Sequence, residues 1–140
     1  MQNALETLGF EQIRAQLAGY AATKWAQDKI AALAPHRSET RLTGALRETN
    51  DARAILDFAG LPPLPDTQAA RDALTRAEKG GLLTPEALLS CAAFGAACKR
   101  LKAYLKKAET TGARLAFCGG VIDPLEALTL EIHRCITGTE

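Results

Sequence analysis

The chain has 140 residues, enough for one domain with a real core and short for two. Hydrophobic residues make up 47% of it but aromatics only 5%, with alanine and leucine dominant, which favours close-packed helices over sheets. The formal net charge of +1 gives no global attraction to nucleic acid or an anionic membrane, and no apolar run approaches the ~20 residues that span a bilayer.

In chain order, Leu5, Leu8, Ile13 and Leu17 recur at helical spacing from about Asn3, where Asn3-x-x-Glu6 resembles a capping box. Gly9, next to Phe10, is the point at which this helix would bend or break. Thr23 can cap a second helix whose Ala22, Ala26, Ile30 and Leu33 form a narrow stripe, ended by Pro35. Ser38 can cap a third, with Leu42, Ala45, Leu46, Thr49, Ala52, Leu56 and Ala59 along one side and Gly60 closing it. Leu61-Pro62-Pro63-Leu64-Pro65 cannot continue a helix and predicts an extended strut that crosses the bundle. Asp66 or Thr67 then caps a short helix with Ala70, Ala73, Leu74 and Ala77 facing inward, ended by Gly80.

Thr84 before Pro85 opens the longest element, a helix from about Pro85 to Lys107. Ala87, Cys91, Phe94, Cys98, Leu101 and Leu105 alternate at spacings of four and three and so share one face, which must be buried. Thr111-Gly112 breaks the run, and Leu115 to Cys118 predict a short helical turn before Gly119-Gly120. Asp123-Pro124 with Glu126 starts a last helix, carried by Leu125, Leu128, Ile132 and Ile136. The expected fold is therefore all-α, a single irregular helical bundle over 1–140 without a fixed repeat.

Little in this pattern carries chemistry. Lys79-Gly80-Gly81 is not a phosphate loop, because the cradling glycines would have to precede the lysine. The two histidines, His36 and His133, are too few and too scattered for a convergent metal site, and His133 and Cys135 point to different helix faces. His133 reads as a surface residue and Cys135 as a core one. Cys91, Cys98, Cys118 and Cys135 lack any CxxC pair and read as reduced core residues. Cys91 and Cys98 stand ~10 Å apart on one helix, too far to bridge. No catalytic, cofactor-binding or metal residue can be named. Lys99, Arg100, Lys102, Lys106 and Lys107 suit the negative end of the helix dipole, and the preferred reading is a solvated helix end. Contact with nucleic-acid phosphates is the alternative.

The order of motifs resembles the N-terminal region of the bacterial MutS-two proteins, the branch of the DNA mismatch-repair MutS family without the mismatch-reading domains. Carrying the likeness are Leu5-x-x-Leu8-x-Phe10, Ala21-Ala22-Thr23 leading to Leu33-Ala34-Pro35, Glu48-Thr49-x-x-Ala52-Arg53, and Glu131-Ile132-x-Arg134-Cys135-Ile136. Most specific is Arg76-Ala77-Glu78-Lys79-Gly80-Gly81 with Leu83-Thr84-Pro85. Ala26 departs from a usual glycine, and Leu64-Pro65-Asp66 replaces a glycine-containing approach.

The resemblance implies an N-terminal fragment of a homodimeric ATPase that binds DNA or RNA, uses ATP and Mg, and usually ends in an Smr nuclease domain; the reduced cysteines and the lack of a bilayer-spanning run predict a soluble, cytoplasmic domain. The family is linked to suppression of recombination and to rescue of collided ribosomes. On this expectation the segment holds no activity or cofactor and serves as part of the helical core between clamp and ATPase. Its partners would be the remaining domains of the parent, with DNA, RNA or the ribosome met through the parent and no membrane. The alternative is an independent helical domain that binds nucleic acid or a protein directly.

Overall fold

The computed structural model describes residues 8–136, and every regular element among them is helical. The Asn3-x-x-Glu6 box lies outside the described residues. The chain divides into two compact units, Met1–Arg37 and Ser38–Glu140.

In the first unit, Gly9 has φ +67°, so the chain is left-handed there, and helix α1 spans Phe10–Gly19. Helix α2 spans Lys24–Ala31 and is capped as its sequence predicts, the Thr23 hydroxyl accepting the Ala26 N–H at 3.2 Å. It stops before Pro35, whose ring disfavours helix in the residue ahead of it. Arg14 of α1 donates to the Leu33 carbonyl at 3.1 Å and ties the two helices. The predicted stripe is only partly covered, with Ala26 and Ile30 half-buried and Ala22 and Leu33 exposed.

In the second unit, α3 (Glu39–Ala59) ends at Gly60, φ +75°. Its apolar stripe is covered along one edge only, at Ala45, Ala52 and Ala59, which are half-buried. Ile55, 3% exposed, is the buried residue, while Leu42, Leu46 and Leu56 are 44%, 55% and 40% exposed. The helix packs through the line of Ala52, Ile55 and Ala59, rotated by roughly a third of a turn from Leu42 and Leu46. The strut is non-helical as predicted. Tyr104 anchors its start by donating its hydroxyl to the Gly60 carbonyl at 2.6 Å. Burial pushes the Tyr104 phenol up, so it stays a protonated donor at neutral pH.

Helix α4 (Gln68–Glu78) starts where the Asp66 carboxylate accepts the Gln68 N–H at 3.0 Å. Ala70 and Ala73 are buried, but Leu74 is 61% exposed and Ala77 is also exposed, against the predicted inward face. Its end is a Schellman turn: the Gly80 N–H donates to Ala77 and the Gly81 N–H to Arg76, with Gly80 at φ +74°. A Cβ on Gly81 would stand 2.8 Å from Cγ of Arg76, so the second glycine is needed for close packing.

Helix α5 (Pro85–Ala108) is the centre of this unit, with α4, α3, the 3-10 segment Arg114–Val121 and helix α6 (Glu126–Cys135) packed on it. The Thr84 hydroxyl accepts the Ala87 N–H at 3.3 Å, and bonds from its own backbone N–H and from Thr84 hold the Glu86 carboxyl below the ordinary value. Every residue of the predicted stripe is half-buried, and the fully buried positions are Ala92, Gly95, Ala97 and Ala108 on either flank of it. The close approach is clearest at Gly95: an added Cβ would stand 2.9 Å from the Pro124 carbonyl, so only the smallest residue fits there. A cluster of Ile55, Ala108, Ala113 and Ala116, with Tyr104 against it, joins α3 to the end of α5.

Beyond Gly112 (φ +72°) the short predicted turn is longer than expected, running through both glycines as the 3-10 segment. The Asp51 carboxylate accepts the Leu115 N–H at 3.3 Å and holds it to α3. In α6, Ile132 is buried and Ile136 half-buried, whereas Leu125 and Leu128 are 53% and 52% exposed. Leu125 stands at the N-cap with φ +49°, a left-handed conformation that costs a side-chain-bearing residue ~1–2 kcal/mol. Leu125→Asn combines tolerance of that conformation with a capping side chain. It is expected to raise stability by about 1 kcal/mol, read as an upward shift of the thermal midpoint. An unchanged or lowered midpoint would refute the strain.

Candidate nucleic-acid interface

The basic half of α5 follows from its composition: alanine and leucine keep the helix, and the lysines of its last turns face the negative end of the dipole. The helix separates the five cations into two lines. Lys99, Lys102 and Lys106, spaced by three and four, share one face. Arg100 and Lys107 share another, about 100° away.

The first line forms one wall of an open groove of about 560 Å³, closed by Gly119, Gly120, Pro124 and Glu126. Lys102 reaches across and donates to the Ile122 carbonyl at 2.9 Å, which anchors the 3-10 segment. Lys99 pairs with Glu126 of α6 at 3.2 Å, and Lys106 with Glu109 at 2.9 Å. Both ion pairs are open to solvent on the lysine side, at 64% and 77% side-chain exposure. Arg100 and Lys107 are exposed, and their side chains make no ion pair or hydrogen bond among the described residues. Arg100 instead borders a hollow of about 290 Å³ with Leu64, Pro65 and Phe94.

The sequence reading singled out the lysines, as a solvated helix end with phosphate contact as the alternative, and named no counter-ion for them. Glu109 stands at a local spacing from Lys106, whereas Glu126 and Ile122 meet α5 only through the fold. The turn at Gly80-Gly81 offers no phosphate cradle, since both glycine N–H groups are spent on helix carbonyls. These residues therefore do not fit the nucleotide that the resemblance implies for a parent protein.

The cysteine expectation needs correction. Cys91 and Cys98 are half-buried, but Cys118 and Cys135 are exposed, because the 3-10 segment and α6 turn those positions away from α5. Desolvation and the Glu131 carboxylate push the Cys135 thiol up, which keeps it neutral and a poor nucleophile. Arg134 holds Glu131 ionised through hydrogen bonds of 2.6 and 2.8 Å. His36 and His133 are both exposed. Among the described residues no three His, Cys, Asp or Glu side chains are grouped to hold a metal ion, and no helix is long and apolar enough to cross a membrane.

Comparison with known proteins places this chain beside proteins named endonuclease MutS2. It is 30% identical to that of Clostridium beijerinckii over 99% of this chain, and 36% identical to that of Geobacillus thermodenitrificans over 96%. It is 39% identical to that of Geobacillus kaustophilus over 70% of this chain. The chain spans 18%, 18% and 12% of the lengths of these relatives, so it is related to a segment of such proteins. No family profile and no solved structure matches it.

Proposed function

We propose that the chain is a helical core module of a larger MutS2-type, nucleic-acid-processing ATPase, and that it has no catalytic activity of its own. Such a module would transmit movement between nucleotide and nucleic-acid sites through rigid packed helices, while ATP and Mg act elsewhere in the protein. The proposal extends to a homodimeric, cytoplasmic parent that meets DNA, RNA or the ribosome, with a role in suppressing recombination or rescuing collided ribosomes. The observation that carries it is the apolar surface left open on the second unit. Leu42 and Leu46 on α3 and Leu130 on α6 are 44%, 55% and 69% exposed, although the first two lie on a continuous helical stripe. The remaining domains of the parent are the proposed cover.

The test places Leu46→Ser with Leu130→Ser in the 140-residue chain and in the longer protein proposed to contain it. In the short chain both side chains are already wet, so unfolding should change by no more than about 1 kcal/mol, up to about 0.5 for each site. In the longer protein the change in nucleic-acid affinity on ATP binding should be lost. A folded variant with its coupling intact would reject the module role.

A further inference from the structure

The groove beside α5 has a property that packing does not explain. Lys99, Lys102 and Lys106 set three ammonium groups along ~10 Å of helix, a length that faces about three successive phosphates of a nucleic-acid strand. Across from them, Gly120 is exposed, its φ lies outside the left-handed region, and a Cβ added there would meet nothing within 4 Å. Neither backbone conformation nor packing requires glycine at that position. Its effect is to leave bare backbone on the groove wall, where a bulky ligand could approach closely. The start of α6, a ten-residue helix, borders the same groove and adds the positive end of its dipole.

Two carboxylates lie in the groove as well. Glu126 holds Lys99 and Glu109 holds Lys106, so three lysines less two glutamates leave a formal charge of +1. Exposed pairs of this kind contribute little, less than the charge-assisted hydrogen bonds a phosphate offers the same ammonium groups. The carboxylates can therefore be displaced, and while in place they weaken the groove's attraction for anions.

We propose that this groove binds the phosphodiester backbone of a nucleic-acid strand, with Lys99 and Lys106 as the phosphate contacts and Glu109 and Glu126 as intramolecular competitors that restrain binding. Lys102 positions the groove wall through Ile122. The proposal does not depend on the module reading, and the two can fail separately.

The experiment is a fluorescence-anisotropy titration of the 140-residue chain with labelled single-stranded RNA and DNA of about 20 nucleotides, starting at about 50 mM salt, where phosphate contacts are strong. Circular dichroism confirms that each variant is folded. Lys99→Gln with Lys106→Gln should weaken binding and lower the log–log salt slope by about 1.4, the contribution of two phosphate contacts on a single strand. Glu109→Gln with Glu126→Gln should tighten binding by severalfold. Arg100→Gln with Lys107→Gln, on the other line of the helix, should change it less than either. Loss of the bound oligonucleotide to an equal concentration of inorganic phosphate would identify a free-phosphate site and overturn the strand reading. Absence of binding, indifference to the lysine pair, or indifference to the glutamate pair would each overturn it too.

Discussion

Ile55→Ala should destabilise the second unit by about 2–5 kcal/mol, towards the upper part of that range. Ile55 is 3% exposed and is the one large aliphatic side chain in a cluster otherwise made of Ala108, Ala113 and Ala116, with Tyr104 against it. Truncation removes the transfer free energy of its methyl and methylene groups and leaves a void. Alanine neighbours have no side-chain freedom with which to fill that void, and the helices that carry them are fixed by the Tyr104 bond to Gly60 and the Asp51 bond to Leu115. Leu56→Ala is the internal comparison. Its side chain is of similar size, one position along, and 40% exposed, so the same truncation should cost clearly less. Urea unfolding of the two variants decides the matter: equal losses, or a greater loss for Leu56, would mean that α3 packs through its Leu56 side and not through Ile55.

That comparison shows how far the sequence could be read. Helix limits were legible because they are set by local chemistry: Thr23, Thr84, Gly60, Gly80 and Gly112 act at caps and turns through their own backbone or side chain. Facing was less legible. On α3 the stripe of Leu42 and Leu46 is the strongest periodic signal, yet the buried residue is Ile55, which lies off it. In an alanine-rich fold the closest contacts are made where side chains are smallest, so the hydrophobic stripe of a helix need not mark its packed face. The candidate groove was half legible for a related reason. Lys99, Lys102 and Lys106 declare themselves by spacing, while Glu126 is brought to Lys99 only when α6 docks. The exposed Leu125 at positive φ and the two exposed cysteines could not be foreseen, since each depends on how the chain leaves the 3-10 segment.

The docking of α6 rests on one missing methyl group, and Gly95→Val should undo it. A Cβ at position 95 would lie 2.6 Å from the Thr129 hydroxyl and 2.9 Å from the Pro124 carbonyl. The hydroxyl belongs to a side chain that can rotate, but the carbonyl is backbone, and α6 would have to move away from α5 to relieve it. Replacing glycine in a helix interior normally gains up to ~1 kcal/mol from backbone entropy, and overpacking costs ~1–3 kcal/mol. With the branched carbons of valine added to the clash, the loss should win, by about 1–3 kcal/mol net. Gly44→Ala in α3 supplies the opposite expectation: nothing lies within 4 Å of its added Cβ, so the entropy gain should appear undiminished as a stabilisation of up to ~1 kcal/mol. Thr129→Ala should recover only part of the Gly95→Val loss, because the Pro124 carbonyl stays in place. Because Pro124 and Glu126 also wall the lysine groove, Gly95→Val should part Lys99 from its carboxylate and widen the groove. Hydrogen exchange along α6 would report the undocking directly, as faster exchange near Ile132 with the middle of α5 still protected. Equal stability of Gly95→Val and the parent chain would mean that α6 does not sit against α5 as closely as these distances require.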